Sequence, residues 1–161
     1  DTYGMMYLRF PRKATVNVYD EGSEFTIGKA NLLREGTDVT IIACGMEVAE
    51  ALQAAEELAA EGVSARVVDM FTIKPLDAEM VLESARRTGA VVTAENANYL
   101  GGLGSAVAET LGEHLPTPME RIGVKDLFGE VGTLDYLKKR FELTSGDIAA
   151  ACRRVIARKG G

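Results

Sequence analysis

The stretch DVTIIACGMEVAEALQAAEELAAEGVSARVVDMF, residues 38–71, sets the architecture. Its opening, DVTIIACG, is a continuous apolar run closed by glycine, the pattern of a strand covered on both faces. MEVAEALQAAEELAAEG follows, with Val48, Leu52, Ala55 and Leu58 at helical spacing and Gly62 as the stop. SARVVDMF reads as a second strand. Strand, helix and strand in this order make a right-handed crossover in a parallel sheet.

The alternation continues downstream. LDAEMVLESARRTG predicts a helix opened by Asp77 as N-cap and closed by Gly89. AVVTAE is a third strand, and a helix runs from Gly104 or Ser105 to about His114. MERIGV is a fourth strand. Two helices follow, roughly 133–140 and 144–157, each with a threonine at its start. Upstream, residues near 30–34 suggest one more strand. The expected fold is α/β, a three-layer α/β/α sandwich with a mostly parallel sheet.

Composition agrees. The 161 residues are 47% hydrophobic and 26% charged, as in an ordinary globular domain. A net charge of −6 argues against a nucleic-acid surface, which needs clustered Lys and Arg. The basic residues Arg153, Arg154, Arg158 and Lys159 read as cations at a helix C-terminus. Cys44 and Cys152 form no CxxC pattern and read as reduced, buried thiols. No apolar run suggests a membrane span and no signal-peptide pattern is visible, so the expected location is cytoplasmic.

The first 35 or so residues fit the alternation poorly. MMYLRFPRKA reads as a short strand ending at Pro11, and a polar connector leads from it to the strand near residue 30. A lone strand at a chain start, with no helix after it, suggests the tail of another domain. With Asp1 in place of an initiator methionine, the expectation is a piece of something longer.

Between the third strand and its helix lies NANYLGGLGS, with Gly101, Gly102 and Gly104. Glycines there can turn their N–H groups toward a phosphate at the helix N-terminus. The spacing matches neither a Rossmann GxGxxG nor a Walker loop, and the alternative is a tight turn that lets helix and strand pack closely. The second reading is favoured. Glu56, Glu57 and Glu61 fall on a polar helical face and read as solvated. His114 reads as a capping or solvent-facing side chain, and no nucleophile motif accompanies it. Asp69, at a strand end, reads as a loop cap.

Five segments, in order, resemble the C-terminal region of transketolase, in the form often encoded as a separate C-terminal subunit. They are YLRFPRKA (7–14), FTIGKANLLREGTDVTIIACG (25–45), ARVVDMFTIKPLD (65–77), TAENANYLGGLGSAVAE (93–109) and RIGVKDLFGEVGT (121–133). The resemblance implies a five-stranded, mostly parallel sheet with one antiparallel strand. It divides the chain into a tail of the preceding pyrimidine-binding domain (1–18), a linker with the first strand (19–36) and the C-terminal α/β domain (37–161).

Transketolases move a two-carbon ketol unit between sugar phosphates, using thiamine diphosphate and a divalent metal, Mg or Ca. In the family those groups are held by domains whose motifs this sequence lacks: there is no GDG followed by a metal-binding Asn. The resemblance therefore implies no catalytic and no metal-binding residue here, and a chain inert by itself. It also implies an N-terminal transketolase domain or subunit as partner, and a homodimer built through the C-terminal domain. Arg12 matches the family arginine that binds substrate phosphate, chemistry that suits a guanidinium fork. Arg9 and Lys13 read as surface charges. Glu95, Asn98, Gly101, Gly102 and Gly104 match a loop that helps build subunit contacts. Ala97 stands where many relatives carry His, Asn96 where they often have Glu, and Val131 where Ser is common. The C-terminal domains of 1-deoxyxylulose-5-phosphate synthase and of 2-oxoacid dehydrogenase β-subunits are alternatives, as is a stand-alone regulatory module binding a ligand near Gly45, Asp69 and Glu95.

Overall fold

A computed structural model describes residues 4–12 and 15–159. The strands are β1 (Asn31–Arg34), β2 (Val39–Ala43), β3 (Ala65–Asp69), β4 (Val91–Asn98) and β5 (Met119–Val124). The helices are α1 (Glu47–Ala60), α2 (Ala78–Thr88), α3 (Leu103–His114), α4 (Leu134–Arg140) and α5 (Ser145–Ala157). They form one five-stranded sheet in the order β1-β3-β2-β4-β5. β2 pairs in parallel with β3 and β4, β4 with β5, and β1 alone runs antiparallel, against β3.

The pleat of β2 explains the three layers. Val39, Ile41 and Ala43 point to the face covered by α1 and α5, whereas Ile42 points to the face covered by α2 and α3. All four are fully buried. Burying a side chain the size of isoleucine contributes roughly 1.5–3 kcal/mol, so both faces need a helical layer. On α1 the buried stripe is Val48, Ala51, Ala54, Ala55 and Leu58, and its alanines let α5 approach closely.

The helix ends follow the expected chemistry. Asp77 caps α2 by accepting the Met80 N–H at 3.1 Å, and Gly89 closes the helix in a left-handed conformation. Asp77 also accepts the Ala30 N–H at 3.0 Å, tying the approach to β1 onto α2. Thr133 caps α4, and Thr144 with Asp147 forms a reciprocal capping box on α5.

Three expectations need correction. Residues 4–12 contain no strand, and each of them is exposed. β4 does not end at Glu95, the last residue of the expected third strand, but continues through Asn98, so Asn98 lies in the strand and not in the loop after it. Glu57 and Glu61 are not simply solvated: Glu57 accepts the Ser145 hydroxyl at 2.8 Å, and Glu61 pairs with Arg153 across α1 and α5. The basic C-terminal residues are likewise paired, Arg154 and Arg158 with Glu120 on β5.

Candidate functional site at the strand carboxyl ends

β4 carries Glu95 under the start of α3, with only 1% of the residue exposed. Its carboxylate accepts the Leu103 N–H at 3.0 Å on Oε2 and the Gly104 N–H at 2.8 Å on Oε1. Gly102 supplies no side-chain cap, so an acid from the preceding strand takes that role. A carboxylate there satisfies two orphan donors and complements the helix dipole. The place a bound phosphate would need is filled by the protein's own anion. The glycines serve that arrangement: a Cβ on Gly104 would lie 2.9 Å from Arg121 and 3.0 Å from Thr93. Burial raises the Glu95 carboxyl above its ordinary range, while the two backbone donors, Arg121 and Arg9 pull it back down.

The glycine loop is also knitted from within. Gly101 donates its N–H to the Ser105 hydroxyl at 2.8 Å, and Leu100 donates to the Asn98 side chain at 2.9 Å. The Asn98 amide reaches Asp126 at 2.9 Å, joining this loop to the one after β5. The two loops together expose Leu100, Leu127, Phe128 and Val131, the last two almost completely.

Parallel sheets place ligands where adjacent strands send their connections in opposite directions. Here that point lies between β2, which continues to β3, and β4, which continues to β5. Gly45 sits there against Asn96, and the Arg9 guanidinium donates to the Asn96 carbonyl at 2.8 Å. Arg9 is thus exposed yet engaged, which its reading as a plain surface charge missed. Beneath them Cys44 is half-buried and its thiol is pushed up to about 12, first by burial and then by Glu95, Asp69 and Glu47. Neither it nor the fully buried Cys152, also raised to about 12 by burial, is a nucleophile at neutral pH.

Asp69 does not cap its loop. Its Oδ2 accepts the Tyr19 hydroxyl at 2.6 Å, and Tyr19 also accepts the Asn31 amide at 3.3 Å. Tyr19, Phe25 and Phe71 stack edge to face, at 4.7 and 5.1 Å between ring centres. Tyr19 and Phe71, together with Asp69, Gly45 and Val48, border a cleft of about 320 Å³ over the ends of β2 and β3. Gly45 and Asp69 therefore share a cleft, whereas Glu95 turns away toward α3.

Glu47 is the residue that sequence reasoning passed over. It is fully buried at the start of α1, and neither carboxyl oxygen meets a hydrogen-bond partner among the described residues. Burial above all, with help from Glu50, pushes its carboxyl up to about 8. Arg12 lies exposed in the N-terminal segment, and Lys13 falls outside the described residues. His114 is exposed at the end of α3. Among the described residues, no three His, Cys, Asp or Glu side chains group so as to hold a metal ion, and no helix is long and apolar enough to cross a membrane.

Fold and site define a mostly parallel α/β/α domain whose strand and helix ends are closed by its own side chains. Residues 28–148 match the family model of the transketolase C-terminal domain, and the chain belongs to that family. It is 58% identical over 156 residues to the 6-deoxy-6-sulfo-D-fructose transketolase subunit SqwH of Clostridium sp. (strain MSTE9), a match covering 97% of this chain and 48% of that protein. It is 42% identical over 161 residues to 1-deoxy-D-xylulose-5-phosphate synthase 1 of Geobacter sulfurreducens, covering 98% of this chain and 25% of that one. A solved structure described as a split gene transketolase, inactive beta4 tetramer, superposes with a TM-score of 0.89 at 48% identity, covering 92% of this chain and 48% of its own. The chain thus spans about half the length of the first of these relatives and of the solved structure.

Proposed function

We propose that this chain is the C-terminal part of a split transketolase's C-terminal subunit, a scaffold for two-carbon ketol transfer between sugar phosphates. The observation that carries the scaffold reading is Glu95, whose carboxylate occupies the one helix start that the glycine loop could have offered to a phosphate. Similarity to a subunit of a sugar transketolase supports the reaction class.

Thiamine diphosphate with Mg or Ca would be held by the other domains. The described residues do not fit either group: no three His, Cys, Asp or Glu side chains among them gather to hold a metal, and the helix start after the glycine loop is taken by Glu95. What this chain adds is position. Arg12, on the segment running toward the preceding domain, is the residue we assign to the substrate's phosphate, and residues 1–18 are the tail of that domain. The partners are an N-terminal transketolase subunit and a second copy of this chain, docked through the loops around Asn98 and Phe128. A cytoplasmic location goes with this reading.

The test is to produce the chain with the rest of its subunit and the partner subunit, and to assay thiamine-diphosphate-dependent ketol transfer. The complex turns over and the 161-residue chain alone neither turns over nor binds thiamine diphosphate. Turnover by the chain alone overturns the proposal.

A further inference from the structure

Arg12 is exposed, on a segment fastened to the domain on either side of it. Upstream, the Arg9 guanidinium donates to the Asn96 carbonyl at 2.8 Å. Downstream, the Tyr19 hydroxyl donates to Asp69 Oδ2 at 2.6 Å. Val16 and Val18 lie before Tyr19 along the cleft, beside Val48, and Val18 packs on the core. A chain covers at most about 3.6 Å per residue, so the Cα of Arg12 stays within about 11 Å of that of Arg9 and about 14 Å of that of Val16, whatever path joins them.

The Tyr19 anchor is the better built of the two. Asp69 is 5% exposed, so water competes little for the bond, and a hydroxyl on a carboxylate makes a shorter and stronger bond than two neutral groups do. Burial first and the Asp69 bond second push the Tyr19 hydroxyl well above its ordinary range, so it stays a donor across the physiological range. Its oxygen also accepts the Asn31 amide at 3.3 Å. Its ring meets Phe25 edge to face at 4.7 Å, and Phe25 meets Phe71 at 5.1 Å. β1, β3 and the connector thus converge on one side chain.

We propose that Tyr19 is a positioning residue for Arg12: by locking the connector to the end of β3, it holds the guanidinium where the substrate's phosphate binds. The inference rests on the assignment of Arg12 to that phosphate. Tyr19 acts through Arg12 and not on the reacting atoms.

The experiment uses the complete assembly with matched sugar and sugar-phosphate pairs. Tyr19→Phe keeps the ring and removes the bond. It raises KM for sugar phosphates about three- to tenfold and leaves kcat and the unphosphorylated sugars within about twofold, because a misplaced binding group costs only the substrate it grips. Added to Arg12→Ala it has no further effect, since nothing is left for Tyr19 to position. Phe25→Ser, at a half-exposed position, loosens the same anchor while Asp69 keeps its bond. It shifts KM in the same direction and carries the test should Tyr19→Phe fail to fold. A second readout needs no turnover. Burial pushes the Cys44 and Cys152 thiols up to about 12, so nitroxides attach selectively to Arg12→Cys and Glu113→Cys, two exposed positions, and pulsed EPR measures the distance between them. Tyr19→Phe broadens that distance distribution.

An equal loss for both members of a pair, a further loss on top of Arg12→Ala, or an unchanged distance distribution overturns the inference. A phosphate-selective loss in Arg12→Ala beside an unaffected Tyr19→Phe refutes the inference alone. Arg12→Ala with no preference for phosphorylated substrates refutes the Arg12 assignment itself, and the inference falls with it.

Discussion

Gly102 stands so close to Glu95 that a Cβ built on it would lie 2.0 Å from Oε2. Strand β4 and helix α3 are held at this spacing because residue 102 has no side chain. Gly102→Ala must therefore push the carboxylate off the helix start, and it destabilises the fold by about 2–3 kcal/mol. Glu95→Ala removes the same two hydrogen bonds without a clash and costs about 1–2 kcal/mol, the range of a lost helix cap. Urea unfolding followed by circular dichroism measures both. A Gly102→Ala protein as stable as the parent would mean that the loop does not need this close approach.

Glu47 gives the domain an acid-side stability preference. Its folded carboxyl titrates at about 8, well above the ordinary value of 4.5, because burial disfavours the charged form and Glu50 and Asp147 add to it against the pull of Lys138. A raised carboxyl binds its proton more tightly in the folded state. Its contribution is fully present below the unfolded value and is lost as pH rises from about 4.5 toward 8. Glu47→Gln removes the titration and should be more stable than the parent at pH 8 by about 4 kcal/mol, with the difference vanishing near pH 4. Chemical denaturation across that range measures it. A parent whose stability relative to Glu47→Gln is flat with pH would refute the buried-proton assignment.

Much of this architecture could be read from the chain, and the misses have physical causes. The caps at Asp77, Thr133 and Thr144 and the stop at Gly89 are local chemistry, fixed by residues three or four apart, and they stand where they were expected. The role of Glu95 was missed because its partners are backbone groups eight and nine residues away, a relation no local pattern encodes. Glu47 did leave a signal: it shares helical spacing with Ala51, Ala54, Ala55 and Leu58, so an acid lay on the buried stripe. Tyr19 left none, since its bond to Asp69 spans 50 residues between a connector and a strand end.

Phe128 is 98% exposed and Val131 fully so, beside Leu127 and Leu100. An aromatic side chain held in water contributes nothing to its own domain, but covering it on association yields roughly 1.5–3 kcal/mol. Phe128→Asp should leave the unfolding midpoint of the isolated chain within about 0.5 kcal/mol of the parent. In the assembled protein it should shift the oligomer toward smaller species. Sedimentation velocity on parent and variant decides the matter: an unchanged distribution takes this loop out of the interface.

Arg12 provides the sharpest functional test. The segment that carries it is tied to the domain three residues earlier, where Arg9 donates to the Asn96 carbonyl at 2.8 Å. A guanidinium grips a phosphate with two parallel hydrogen bonds, a charge-assisted pairing that an uncharged sugar terminus cannot form. Removing it should weaken phosphorylated substrates alone. In the complete assembly, Arg12→Ala raises KM for sugar phosphates by about ten- to a hundredfold, equivalent to roughly 1.4–2.8 kcal/mol, and leaves the unphosphorylated sugars nearly unchanged. Arg12→Lys restores part of the loss because it keeps the charge without the fork. Steady-state kinetics with matched sugar and sugar-phosphate pairs separates the cases, and an equal loss for both members of a pair would place Arg12 outside the phosphate site.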